Sequence, residues 1–243
     1  GSTCSSGQFF SAISTIGAFT CTTVAASVSV ATNAALAASA TATFPLGVWR
    51  NDYAAGRGAP PLWFTPLTGN CAANSLVNDG GSCVNTTAGD GNSWKAVQPS
   101  GWANVLQFGA VQDGATDSTT AIQAAMDASS VVYFPKGSAF IAGNLVQTRN
   151  NTFAGDGNVS ASVLKFLTGA TGWLINNNGF VGVVAHLELD GGNTVDYSAV
   201  GAPGTRSGIH LSAAVDGTSV RGANIHGFNN ICLGSNGNTS ANN

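Results

Sequence analysis

The chain has 243 residues, a formal net charge of −3, 8% charged residues and 44% hydrophobic residues; an average soluble domain carries roughly 25% charge. That apolar content excludes a solvated disordered chain. The 8 Lys and Arg argue against the basic patch that nucleic acid requires, and the 32 Gly have no three-residue period, which excludes collagen.

Gly, Ser, Thr, Asn and Ala replace the missing charge, a surface composition that points to an extracellular or virion-borne fibrous protein. Residues 1–23 hold Phe9, Phe10, Ile13, Ile16 and Phe19 between Cys4 and Cys21, the pattern of a small hairpin-like unit. Residues 24–43 form an Ala/Ser/Thr-rich connector. It reaches the ~20 residues of a membrane span, but Asn33, the many hydroxyls and the single Leu36 make insertion weak, and no basic flank marks a signal peptide. No membrane insertion is expected. The connector reads either as a small-residue helix or strand shared between subunits or as a flexible linker. Residues 44–100 are loop-rich, anchored by Trp49, Trp63 and Trp94, with a turn at Asn78-Asp79-Gly80-Gly81.

Two cysteine pairs are close in sequence, Cys4/Cys21 and Cys71/Cys83. Both read as short disulfide loops, with reduced thiols as the alternative. Cys232 lies in an apolar strand pattern and is expected to be unpaired. No spacing fits a zinc site, so no metal and no cofactor are expected.

From residue 101 the pattern changes. Asp117-Ser118 offers a helix N-cap, and Ala121, Ile122, Ala125 and Met126 follow at helical spacing to Ser129-Ser130. Short apolar strands are then expected at 131–134, 140–142, 162–167, 173–175, 183–189, 209–211 and 231–233. They repeat. Phe153 and Ile175 are 22 residues apart, Leu164/Phe166 and Leu187/Leu189 are 23, and Ile209/Leu211 and Ile231/Leu233 are 22. One step, from Leu189 to Ile225, is 36, and a 14-residue insertion within 191–207 accounts for it. The period predicts an all-β fold, a parallel β-helix of 22–23-residue coils.

Residues 104–143 carry a family resemblance. Phe108-Gly109-Ala110, Asp113-Gly114, Asp117, Ala121-Ile122-Gln123-Ala124-Ala125 and Tyr133-Phe134-Pro135-Lys136-Gly137 resemble the start of the pectate-lyase-superfamily right-handed parallel β-helix found in phage tailspikes and secreted polysaccharide-degrading enzymes. The resemblance implies an N-terminal capping α-helix and gives Asp113, Gly114 and Asp117 turn and cap roles. The Cys4 to Cys21 segment and Gly58-Ala59-Pro60-Pro61-Leu62 resemble units of phage tail fibres. It follows that 1–100 is a virion-attachment region meeting tail or baseplate proteins, and 101–243 the start of a β-helix. The resemblance also implies a homotrimer that faces host capsule or lipopolysaccharide from the virion tail. The alternatives are a secreted bacterial polysaccharide lyase or glycosidase, and a purely structural virion protein. With four or five coils expected, the chain is either a short adaptor or continues past Asn243.

The single Glu lies in His186-Leu187-Glu188-Leu189-Asp190. Alternation puts Leu187 and Leu189 inside and His186, Glu188 and Asp190 together outside. The repeat places Lys165 one coil before Glu188, His226 one coil after Asp190 and Asn224 one coil after Glu188. The adjacent insertion brings Tyr197 and Arg206. Glycoside hydrolysis uses two carboxylates ~5–9.5 Å apart. Glu188 and Asp190 are therefore the candidate catalytic pair, with His186, His226, Lys165, Arg206 and Tyr197 as candidate substrate-binding residues. The plain alternative is a surface ladder in which Lys165 pairs with Glu188.

Overall fold

A computed structural model describes residues 8–13, 19–23, 28–98, 101–157, 160–192, 206–210, 218–228 and 233–234. The first unit is an antiparallel hairpin of β1 (Gln8–Ile13) and β2 (Phe19–Thr23), with a register shift between Phe10 and Ala12. Cys21 lies on β2, while Cys4, and with it the expected Cys4/Cys21 pairing, lies outside the described residues.

Residues 28–98 fold around a sheet. Its elements are β3 (Ser29–Val30), α1 (Asn33–Ala37), β4 (Val48–Arg50), β5 (Leu62–Leu67), β6 (Cys83–Asn85) and β7 (Ser93–Val97). The strand order is β3-β4-β5-β7-β6. Leu36, Val48, Leu62, Phe64, Val84, Trp94 and Ala96 make its core. The described part of 24–43 is thus not a free connector. Leu36 of α1 is fully buried, and the Trp94 indole N–H donates to the Ser39 carbonyl at 3.1 Å. The boundary expected at residue 43 disappears for the same reason. The strands of 44–100 are only three to six residues long. Between them lie Gly- and Asp-bearing turns, which makes the stretch read as loop. Cys71 and Cys83, both fully buried, are joined by a disulfide with an S–S distance of 2.11 Å.

From residue 101 the strands are parallel. In chain order they are β8 (Trp102–Asn104), then α2 (Thr119–Ala128), β9 (Val131–Phe134), β10 (Phe140–Ala142), β11 (Leu145–Val146), β12 (Asn151–Gly155), β13 (Val163–Phe166) and β14 (Gly172–Asn176). There follow β15 (Gly182–Ala185), β16 (Glu188–Asp190), β17 (Arg206–His210), β18 (Ser219–Arg221), β19 (Asn224–His226) and β20 (Leu233–Gly234). The chain visits three sheets in rotation. Sheet I is β18-β15-β12-β9-β8, sheet II is β10-β13-β16-β19 and sheet III is β11-β14-β17-β20. This is a parallel β-helix.

One inward row from each sheet fills the core. Val132, Phe153 and Val184 are in register on sheet I, Phe140, Leu164 and Leu189 on sheet II, and Leu145, Ile175 and Ile209 on sheet III. All nine are at most 2% exposed. Buried β-branched, Leu and Phe side chains stacked coil on coil supply the hydrophobic stabilisation, ~25 cal/mol per Å² of apolar area.

The coil is less regular than a fixed 22–23 residues. Partners on neighbouring coils lie 21 residues apart from β9 to β12, 25 from β13 to β16 and 36 from β15 to β18. Leu164 therefore pairs with Leu189 rather than Leu187, Ile209 pairs with Leu233 rather than Ile231, and Phe153 and Ile175 lie on different sheets. The strands keep register while the turns take up the extra residues. The residues between β16 and β17, 191–205, fall where the insertion is expected. Ile231 and Cys232 lie outside the described residues. Among the described residues no helix is long and apolar enough to cross a membrane.

α2 packs on the first coil through Ile122, Ala125 and Met126, all fully buried. It also covers the backbone at the open ends of sheets II and III. The Ser118 amide donates to the Ile141 carbonyl at 2.8 Å, and Gly143 donates to Thr119 Oγ1 at 2.6 Å. The Gln123 side-chain amide accepts from Val146 N–H at 3.0 Å and donates to the Val146 carbonyl at 2.8 Å.

Candidate active site

β16 lies between β13 and β19 on sheet II, and this order assembles the charged cluster. Register pairs Lys165 with Asp190 and Asp190 with His226, while Glu188 sits between Val163 and Asn224. Lys165 is thus opposite Asp190, not Glu188. The fixed-period offset is short by two residues because the coil from β13 to β16, which includes the turns 167–171 and 177–181, is 25 residues long. Lys165 Nζ is 3.7 Å from Asp190 Oδ2.

Both carboxylates meet one imidazole. His226 Nε2 lies 3.0 Å from Glu188 Oε1, and Nδ1 lies 3.9 Å from Asp190 Oδ1. This shared contact keeps the two carboxyl groups within the upper ~9.5 Å limit for glycoside hydrolysis.

Glu188 is not the open surface group that alternation suggests, since the residue is only 8% exposed. The Ser160 amide donates to Oε2 at 2.8 Å. Burial opposes ionisation, but the Ser160 amide, the His226 hydrogen bond and charge, and Asn224 outweigh it. The net effect holds Glu188 below the usual carboxylate range. Ser160 is a contributor that sequence reasoning misses. It acts through its backbone in a left-handed conformation (φ 53°), and no side-chain pattern signals that.

Other expected members fall elsewhere. His186 is not part of the strand. It has φ 53° and forms the corner that splits the expected 183–189 strand into β15 and β16. Its amide donates to the Arg221 carbonyl, and its carbonyl accepts from Gly157. Residue 155 must be Gly at this corner, since a Cβ there would sit 2.3 Å from the His186 carbonyl oxygen. Arg206 begins β17 opposite Gly172 on sheet III, a different face from Glu188. Tyr197 lies outside the described residues.

Asp113 and Asp117 act in turns. Asp113 Oδ1 accepts from the amides of Ala115 and Thr116 and Oδ2 from the Thr116 hydroxyl, which lowers its pKa to about 2, and Gly114 takes φ 73° in the same turn. Asp117 Oδ1 accepts from the Thr119 amide at 2.9 Å, in the first turn of α2. The expected cap partner, Ser118, instead accepts from the Val111 amide at 2.9 Å.

The arrangement offers one ionised, hydrogen-bonded carboxylate, a second carboxylate two residues away, an imidazole bonded to the first and within 4 Å of the second, and an ammonium at the edge. Those groups can move a proton and stabilise developing positive charge, the two needs of glycosidic cleavage.

Solved structures share the fold. The chain aligns with WceF of Pantoea stewartii, a glycan biofilm modifying enzyme with a bacteriophage tailspike-like parallel β-helix, at TM-score 0.59 and 16% identity, covering 91% of this chain and 32% of that one. The tailspike gp49 of Acinetobacter baumannii bacteriophage Fri1, a capsular polysaccharide depolymerase, aligns at TM-score 0.58 and 16% identity, covering 82% and 38%. The enzymatically active domain of tailspike protein 2 of bacteriophage CBA120 aligns at TM-score 0.54 and 19% identity, covering 68% and 23%. The chain thus spans between about a quarter and two fifths of the length of these structures. No curated protein matches. Residues 102–232, more than half of the sequence, match the family model described as rhamnogalacturonase A/epimerase, pectate lyase-like, and the chain belongs to that family.

Proposed function

We propose that the chain is a subunit of a phage tailspike that binds host surface polysaccharide and cleaves it at Glu188 and Asp190. The observation that carries the reading is the imidazole of His226 hydrogen-bonded to Glu188 at 3.0 Å with Asp190 3.9 Å from its other nitrogen. In the reaction, a water oxygen bonds to the anomeric carbon as the bond to the leaving sugar oxygen breaks. Glu188, held ionised, takes the proton of the water. The Asp190–His226 pair delivers a proton to the leaving oxygen, and no cofactor enters. In this reading residues 1–100 attach a homotrimer to the virion tail, and the β-helix meets capsule or lipopolysaccharide. Likeness of fold to phage tailspikes supports it.

A second reading, a secreted bacterial glycosidase or lyase, is favoured by the Pantoea stewartii enzyme, which covers 91% of the chain. Light scattering on the purified protein separates the two, since a monomer removes the tailspike subunit. Activity is tested on capsular polysaccharide and lipopolysaccharide by new reducing ends and by absorbance of unsaturated uronates. The double variant Glu188→Gln, Asp190→Asn is expected to lose at least ~100-fold in rate. Full activity in that variant removes the site. No product from the unsubstituted protein leaves a structural virion component.

A further inference from the structure

Trp102 and Tyr133 have no part in the site above, yet they form an aromatic pair on the outer face of sheet I. Trp102, on β8, is 50% exposed. Its diagonal neighbour on β9 is Tyr133, with ring centroids 6.0 Å apart and planes at 51°. Trp102 is exposed and Tyr133 half-buried, so the two rings together present an apolar platform with a polar tip, the combination that suits aromatics to binding surfaces. Tyr133 is also fixed in place. Its hydroxyl donates to Asp156 Oδ1 at 2.7 Å, while Asp156 Oδ2 accepts the Lys136 amide at 2.9 Å. Burial and the Asp156 carboxylate together raise the Tyr133 pKa to about 12, so it stays neutral. A carboxylate has about four acceptor positions, and these two bonds leave Asp156, which is exposed, able to accept from sugar hydroxyls.

The patch is continuous with the carboxylate site. Asp156 lies four residues before Ser160, whose amide grips Glu188, and the Asp156 amide donates to the Ser162 hydroxyl at 2.8 Å. Gly157 donates to the His186 carbonyl, so this corner stacks directly on the corner that leads into β16. Tyr133 on β9 is two strands from β15. Strand spacing is ~4.8 Å, close to the length of one hexopyranose. A glycan running along the helix axis would place successive sugars over successive coils.

We propose that Trp102 and Tyr133 form a sugar-stacking subsite, with Asp156 accepting from the hydroxyls of the stacked pyranose, at the N-terminal end of a polysaccharide track leading to Glu188. This deepens the functional reading above and rests on it for the direction of the track. The apolar C–H face of a pyranose fits the half-exposed rings, and the flanking carboxylate fits its hydroxyl rim. A protein partner would require a wider apolar area than two rings.

The test uses the full chain with Glu188→Gln and Asp190→Asn, so that the probe survives. Its retardation is measured in gels containing rhamnogalacturonan, Acinetobacter baumannii capsular polysaccharide or the biofilm glycan of Pantoea stewartii. Adding Trp102→Ala is expected to weaken binding roughly tenfold. Trp102→Phe keeps a stacking ring and is expected to stay within about threefold, which separates lost stacking from misfolding. Trp49→Ala, which removes an exposed Trp of the N-terminal sheet, is expected to change nothing. The proposal is overturned if Trp102→Ala binds as tightly as its parent, if Trp49→Ala weakens binding equally, or if none of the three polysaccharides retards the protein. Cleavage that survives Glu188→Gln, Asp190→Asn while Trp102→Ala still weakens binding would sink the catalytic reading and leave the subsite standing.

Discussion

Glu188 is stabilised as an anion by groups that neutralise or hydrogen-bond it, and this gives its stability contribution a sign. A carboxyl whose folded pKa lies below its unfolded value contributes stability above the ordinary glutamate range and loses it as pH falls through the folded value. Glu188→Gln should therefore destabilise the protein by ~1.5 kcal/mol at pH 7, the worth of hydrogen bonds to a charged group. The difference should shrink below pH ~4. Urea midpoints of both proteins at pH 7 and pH 3 check this, and an equal difference at both pH values would contradict it. Much of the site was legible in the sequence. Two-residue alternation placed Glu188 and Asp190 on one face, and the 36-residue step placed Asn224 and His226 beside them. Lys165 was displaced because turns differ in length, and Ser160 was invisible because only its backbone acts.

α2 closes the β-helix by two devices, and only one is visible in the sequence. The apolar spacing of Ile122, Ala125 and Met126 is legible as a helix face. The role of Gln123 is not, because it depends on Val146, 23 positions further along the chain, being brought alongside. Gln123 occupies both backbone groups of Val146, as a further strand would. Gln123→Ala should strand that donor and acceptor at an otherwise open sheet edge, which is the hazard of edge strands. The expected loss is ~1–3 kcal/mol in denaturant unfolding, with faster amide exchange at Val146. An unchanged exchange rate there would show that Gln123 does not close the edge. The parallel strands themselves were legible from their repeat. The N-terminal sheet was not, because its strands lie among turns and pair, three times antiparallel and once parallel, across loops that leave no period.

Arg50 joins the two halves of the structure. It is fully buried, with its donors on Asn33 Oδ1 at 2.8 Å, the Gly80 carbonyl and the Gln107 carbonyl at 2.8 Å, the last in the segment that enters the β-helix. The guanidinium lies against the rings of Tyr53 and Phe64, at 5.3 and 4.9 Å. Burial lowers its pKa to about 10, so it remains a cation at neutral pH. Arg50→Met would leave three acceptors without their donor. The expected cost is ~3 kcal/mol, and the variant should unfold in two calorimetric steps where the parent unfolds in one. A single, unshifted transition would mean that the halves are coupled elsewhere.

The coils have a mechanical consequence. Strands run across the β-helix, so the backbone hydrogen bonds of sheets I, II and III all point along its length. A pull on the N-terminal sheet, passed through Arg50, therefore stretches these bonds end-on, and a tear between two coils must break the rungs of three sheets together. The shaft meets axial tension with many parallel bonds per coil rather than with one strand peeling at a time.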